Sequence, residues 1–173
     1  YQEGWKGINI DPIPGCMKVF NRLRPRDINI ELGVAEEEGE LNYYIFNETA
    51  LNSFSKKLSE KRDKIEKDYF IKEVIKVEVK PLYKILEKHL QSNEIDFLNV
   101  DVEGLDLEVL RSNDWSKYRP KFVLVEALET NFNHFEKHPI FKLMKEKNYT
   151  FYAKQVNTIF FKDNFLNDEN LTL

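Results

Sequence analysis

IDFLNVDVEGLDLEVL, residues 95–110, changes its periodicity half-way along. Ile95, Phe97, Leu98, Val100 and Val102 make a short apolar, partly β-branched run ending in two acids and a glycine, the pattern of a buried strand. Beyond Gly104 the spacing turns helical, with Leu105 and Val109 four apart and Leu107 and Leu110 three apart. The chain therefore turns at Gly104 and enters a helix, which leaves Asp101 and Glu103 at a strand's carboxyl end. In an open α/β sheet ligands bind there, because strand-to-helix loops and helix N-termini converge.

The same grammar extends in both directions. Downstream, Arg119-Pro120 breaks the helix and residues 122–125 are a continuous apolar run ending at Glu126, a third strand-end carboxylate. Pro139 suits the first position of a helix with Ile140, Leu143 and Met144 on one face. Two β-rich runs, 150–156 and 158–161, flank Asn157 as a hairpin. Upstream, residues 71–79 alternate as a strand, and Pro81 opens a helix whose Leu82, Ile85, Leu86 and Leu90 share a face. His89 near its C-terminal end reads as compensation of the helix dipole. Residues 47–67 are polar and Ser- and Lys-rich, the composition of a mobile loop grading into a charged helix, suited to a substrate lid. Ile28, Ile30 and Leu32 alternate with polar residues as another strand, stopped by Gly33, and the loop 33–39 carries three glutamates. Before it, residues 14–21 read as a helix with Met17 and Phe20 inward. The first strand is Ile8 to Ile10, closed by Asp11-Pro12. Asp11 has two readings, an acid that accepts both hydroxyls of a ribose or a turn and cap residue.

Bulk properties narrow the class. A chain of 173 residues with 42% hydrophobic content can bury one substantial core, and no repeat or linker divides it. The net charge of −4 is spread over interleaved Lys and Glu, which excludes a duplex nucleic-acid footprint and disfavours anionic membranes. Cys16 is the single cysteine, so no intrachain disulfide forms, which points to a reducing, cytoplasmic setting. No apolar run approaches the roughly 20 residues of a membrane span.

Taken together, these pieces resemble the FkbM family of S-adenosylmethionine-dependent methyltransferases. The similarity rests on IDFLNVDVEGLDLEVLRSNDW (95–115), RPKFVLVEAL (119–128), GWKGINIDPIP (4–14) and NTIFFKD (157–163). The resemblance implies an α/β fold with a Rossmann-like class I methyltransferase sheet, mostly parallel, with an antiparallel last strand. The family's glycine-rich turn has no counterpart, since no two of the six glycines have G-x-G spacing. On this reading the chain is a single domain over 1–173 whose first strand and helix are missing, with unpaired backbone facing the gap.

The resemblance also assigns residues. Asp11 is expected at the ribose hydroxyls, and Gly33, Val34, Ala35 and Glu36 near the adenine. Asp101 is expected at the methionine end of the cofactor and as the base for an acceptor hydroxyl. Glu103 is a second candidate base and His134 a third, with a solvated loop histidine as its alternative reading, while Glu103 and Glu126 line the acceptor cleft. Glu103 has a structural alternative, as a cap of the following helix or a partner of Arg111. Asp101, Glu103 and Glu126 are oxygen ligands of the kind Mg²⁺ accepts, but nothing in their spacing requires a metal and none is expected. The implied reaction is O-methylation of a hydroxyl on a sugar, glycan precursor or secondary metabolite, by a chain that is free to oligomerise. The competing reading is a truncated or degenerate methyltransferase-like domain without activity. A nicotinamide-dependent enzyme ranks last, since the chain lacks G-x-G-x-x-G and has no Tyr-x-x-x-Lys pair.

Overall fold

A computed structural model of the chain describes residues 1–65, 67–128 and 135–166. Among these, nine strands alternate with five α-helices. The order is β1 (Ile8–Asp11), α1 (Met17–Leu23), β2 (Ile28–Glu31), β3 (Gly33–Val34), β4 (Gly39–Phe46), α2 (Lys56–Ile65), β5 (Ile71–Lys80), α3 (Leu82–His89), β6 (Glu94–Val100), α4 (Asp106–Arg111), β7 (Arg119–Glu126), α5 (Pro139–Glu146), β8 (Tyr149–Gln155) and β9 (Thr158–Asp163). Short 3₁₀ turns, Thr49–Leu51 and Phe135–Lys137, precede α2 and α5.

The strands form three small sheets and not one doubly wound, mostly parallel one. They are β1-β2, β3-β5-β4 and β6-β7-β9-β8. Pairings β1·β2, β3·β5 and β6·β7 are parallel, whereas β4·β5, β7·β9 and β8·β9 are antiparallel. Of the antiparallel pairs only β8·β9 comes from a local turn, closing as the expected hairpin with Gln155 opposite Thr158, since two-residue connections can only join antiparallel neighbours. The expected last strand is antiparallel, as the resemblance implied. Among the described residues β1 and β6 share no ladder, and their neighbourhood is bridged by Trp5, whose ring lies 5.5 Å from that of Phe97.

One hydrophobic core joins the four-stranded sheet to three helices and to the margin of β1. Val100, Val123, Val125, Ile159 and Phe161 from the four-stranded sheet meet Leu82 and Leu86 of α3, Val109 and Leu110 of α4, and Ile140 and Met144 of α5, with Ile8 and Ile10 of β1 packed at its margin. The predicted apolar faces of α3 and α5 are thus the buried ones. Polar staples close the far end of β7. Arg119 donates from Nη2 to Asp163 Oδ1 at 2.6 Å and to the Lys147 carbonyl at 3.0 Å, and Tyr149 Oη donates to the Pro120 carbonyl at 2.7 Å.

The 47–67 segment is packed and not a free loop over its first half. Ser53 pairs with Tyr44 as an extra bridge, and Asn52, Ser53 and Ser59 are buried. The Asn52 side chain accepts from Phe46 N at 2.8 Å, which supplies a backbone partner that a mobile loop would leave to water. Gly33 and Val34, expected in a loop, extend β5 by pairing with Val79 and Lys80.

Candidate active site

β6 and β7 are adjacent and parallel, with Val100 opposite Val125, so their carboxyl ends lie side by side. That register brings one oxygen each of Asp101, Glu103 and Glu126 within 4.8 Å of one another. The three acids picked out from strand ends therefore form one cluster.

Its local geometry depends on the turn between β6 and α4. Glu103 has φ 54° and Gly104 φ 100°, both left-handed. Glycine tolerates that conformation, while for Glu it costs energy that surrounding bonds must offset. Ser53 Oγ donates to the Glu103 carbonyl at 2.6 Å, and Arg62 Nη2 donates to Glu103 Oε2 at 2.6 Å. Asp106, buried beneath the turn, accepts from Val102 N at 3.0 Å and Gly104 N at 3.1 Å. The partner of Glu103 is thus Arg62 of α2 and not Arg111, which pairs with Glu36 at 3.8 Å. The turn-capping acid is Asp106 and not Glu103.

Burial, with crowding of like charges second to it, raises two carboxyl pKa values here. Burial, reinforced by Asp101, Glu103 and Asp106, pushes Glu126 from 4.5 to about 7, with Arg62 pulling the other way. Burial likewise raises Asp106 to about 6, against the backbone N–H bonds from Val102, Gly104 and Asp106 itself that favour its charged form. Glu126 Oε2 is buried and has no hydrogen-bond partner among the described residues. The carboxylates are of the type Mg²⁺ accepts, but the Arg62 guanidinium already supplies positive charge at Glu103.

The second group of expected residues lies around β1 and β3. Asp11 ends β1, and its Oδ1 accepts from Ile13 N at 2.8 Å, so the turn role is realised for one oxygen. Gly33 is held by packing: a Cβ there would lie 2.5 Å from Phe54 Cζ and 2.7 Å from Val79 Cγ1. Ala35 N donates to the Lys80 carbonyl at 3.2 Å. Cys16, beside Asp11, has its thiol pKa pushed up to about 11, chiefly by burial and then by the Asp11 and Glu31 charges, which favours the protonated thiol at neutral pH. His134 lies outside the described residues.

The model of the methyltransferase FkbM domain matches residues 1–151. The chain belongs to the FkbM methyltransferase family. Neither the curated proteins nor the solved structures contain a match. The acid cluster falls inside this FkbM region, as do Asp11 and the 33–36 segment.

Three side chains around the acid cluster were not picked out from sequence. Asp106 gave no turn signal, because an Asp marks a turn by accepting from an amide two residues on, whereas its side chain reaches back to the amides of Gly104 and Val102. His138 precedes Pro139 at the start of α5, where its Nδ1 accepts from Ile140 N at 3.3 Å; a His-Pro pair at a helix start was readable. Arg62 had no signal, since its meeting with Glu103 spans 41 residues and depends on where α2 docks.

Proposed function

We propose that this chain is one S-adenosylmethionine-dependent methyltransferase domain that O-methylates a hydroxyl on a sugar, glycan precursor or secondary metabolite, in the cytoplasm. The observation that carries this reading is the convergence of Asp101, Glu103 and Glu126 at the ends of two adjacent parallel strands. The carboxylate acceptors suit the cofactor, whose sulfonium and ammonium are cationic and whose ribose presents two hydroxyl donors. Asp11 would hold the ribose with the oxygen left by the turn, residues 33–36 would lie near the adenine, and Asp101 would face the methionine end. When bound, S-adenosylmethionine supplies an electrophilic methyl group.

The chain's own work is to hold the acceptor oxygen in line with the leaving sulfur and to take its proton. Positioning supplies most of the rate gain in such a displacement. A positioned base adds on the order of 10²- to 10⁴-fold, best with a pKa near the working pH. Asp101 remains the first candidate from sequence. Glu126 joins it, because a carboxyl raised to about 7 is partly ionised at neutral pH and still basic enough to accept a hydroxyl proton. Arg62 occupies Glu103 Oε2 in an ion pair at 2.6 Å, which favours a positioning role for Glu103.

Calorimetric titration with S-adenosylhomocysteine tests the reading. Saturable binding, weakened by roughly 1 to 3 kcal/mol in Asp11→Ala, is expected from loss of a charge-assisted bond. Absence of binding would favour the non-catalytic, methyltransferase-like domain instead.

A further inference from the structure

The interleaved charges of residues 56–68, six basic and four acidic, are sorted by the fold. Arg62 turns inward to Glu103, Asp63 Oδ1 accepts from Ile71 N at 2.8 Å, and Ser59 is buried. At about 3.6 residues per turn this leaves Lys56, Lys57, Glu60, Lys61 and Lys64 on the outward arc of α2, all of them exposed. These five side chains line a shallow, solvent-open depression of about 450 Å³, and among the described residues no other element contributes to it. Four lysines against one glutamate make the face net positive on a chain whose formal charge is −4. Glu60 offsets little of that, standing 3.7 Å from Lys56 with both side chains in water. Lys67 and Asp68 beyond the helix, both exposed, cancel one another.

Apolar groups adjoin this basic face. Ile65 ends α2 next to Lys61 around the helix and is 65% exposed. The Asp63 bond to Ile71 N folds the chain back onto that end, which sets Tyr69 and Phe70 beside it, 39% and 51% exposed. Lysine is depleted in interfaces between proteins, whereas an anionic bilayer satisfies both sets of side chains. Headgroup phosphates pair with the ammonium groups, and aliphatic and aromatic side chains enter the boundary between headgroups and acyl chains. We propose that the outward face of α2, with Ile65, Tyr69 and Phe70 at its end, docks on an anionic lipid surface. The acidic balance of the whole sequence disfavours such surfaces, but it does not govern this face, because the attraction acts within a Debye length of roughly 8 Å. The inner side of the same helix carries Arg62 against Glu103 and Leu58 against the Gly104 turn. Docking therefore holds the acid cluster roughly one helix diameter, 10–12 Å, from the headgroups, whatever reaction the cluster performs.

The test is co-sedimentation of the 173-residue chain with vesicles of phosphatidylcholine alone and of phosphatidylcholine mixed equally with phosphatidylglycerol, at low and at high salt. The chain should sediment with the anionic vesicles only, and less so as salt rises, a readout that needs no variant. Lys57→Gln with Lys64→Gln should weaken binding about thirtyfold, since each basic residue near such a surface contributes about fivefold. Ile65→Ser with Phe70→Ser should weaken it about tenfold through lost apolar burial. All four side chains are exposed, so both double variants should keep the parent's urea unfolding midpoint. No binding to the anionic vesicles at low salt, equal binding to phosphatidylcholine alone, or binding that either double variant leaves unchanged would overturn the inference. Tighter binding of polyglutamate than of the vesicles would also overturn it, by assigning the face to an acidic protein.

Discussion

Asp106 shows how one side chain sets the geometry of its neighbours. Its two oxygens hold the amides of Val102 and Gly104, and between those amides lies Glu103 with its left-handed backbone. Asp106→Ala removes both bonds and leaves two amides without their acceptor. It should destabilise the fold by about 2 kcal/mol, the two charge-assisted bonds being partly offset by relief of a buried carboxylate. A urea unfolding midpoint indistinguishable from that of the parent would show that water replaces Asp106 at no cost. Gly33 makes the opposite point, since its smallness serves a neighbour and not a ligand. Gly33→Ala drives a methyl into Phe54 and Val79 and should cost about 1 to 3 kcal/mol. Adding Phe54→Leu should restore part of the loss; no restoration would move the clash to Val79. Asp101, Glu103 and Glu126 were legible as strand-end acids because their signal is local. Arg62 was not, because its partner is chosen by packing.

At the scale of elements, α2 is the piece whose placement matters most for the site. It contributes Arg62 to Glu103, and Leu58 packs against the Gly104 turn, 2.9 Å from where a Cβ would stand. Both side chains of the ion pair are about four-fifths buried, so the pair is screened less than a surface one. A double-mutant cycle on Arg62→Ala and Glu103→Ala should give a coupling of about 1 kcal/mol in unfolding free energy. Additivity of the two variants would mean that the ion pair adds nothing to the docking of α2. Sequence composition marked this region as loop and charged helix. It could not show the buried Asn52 and Ser53, since a polar residue with a backbone partner looks the same in a sequence as one in water.

At the scale of the whole molecule, the raised carboxyls set the pH dependence of stability. Glu126 and Asp106 bind protons more tightly folded than unfolded. Between their unfolded and folded pKa values the native state therefore holds more protons, and the slope of stability against pH is negative. Stability should fall as pH rises from about 4 to about 7 and level off above. The lowered carboxyl of Asp27, held down by Asn9, Arg24 and the Gly7 amide against its desolvation, works in the opposite sense but below 3.8. Chemical denaturation at a series of pH values checks this, and Glu126→Gln should flatten the upper half of the window. A parent curve that climbs from 4 to 7 would contradict the assigned shifts.

Sequence alone determined the elements around the site: the strand–turn–helix at 95–110, the apolar faces of α3 and α5, the β8–β9 hairpin and the three strand-end acids. These follow from periodicity and turn chemistry, which act over a few residues. Family membership was legible for the same reason, through contiguous motifs. Only the tertiary structure decided that the strands divide into three mixed sheets, that β6 and β7 are neighbours in parallel register, and that Arg62 and His138 join the acids. Such meetings depend on which apolar faces share a core, a choice made by burial across tens of residues, to which no local pattern is sensitive.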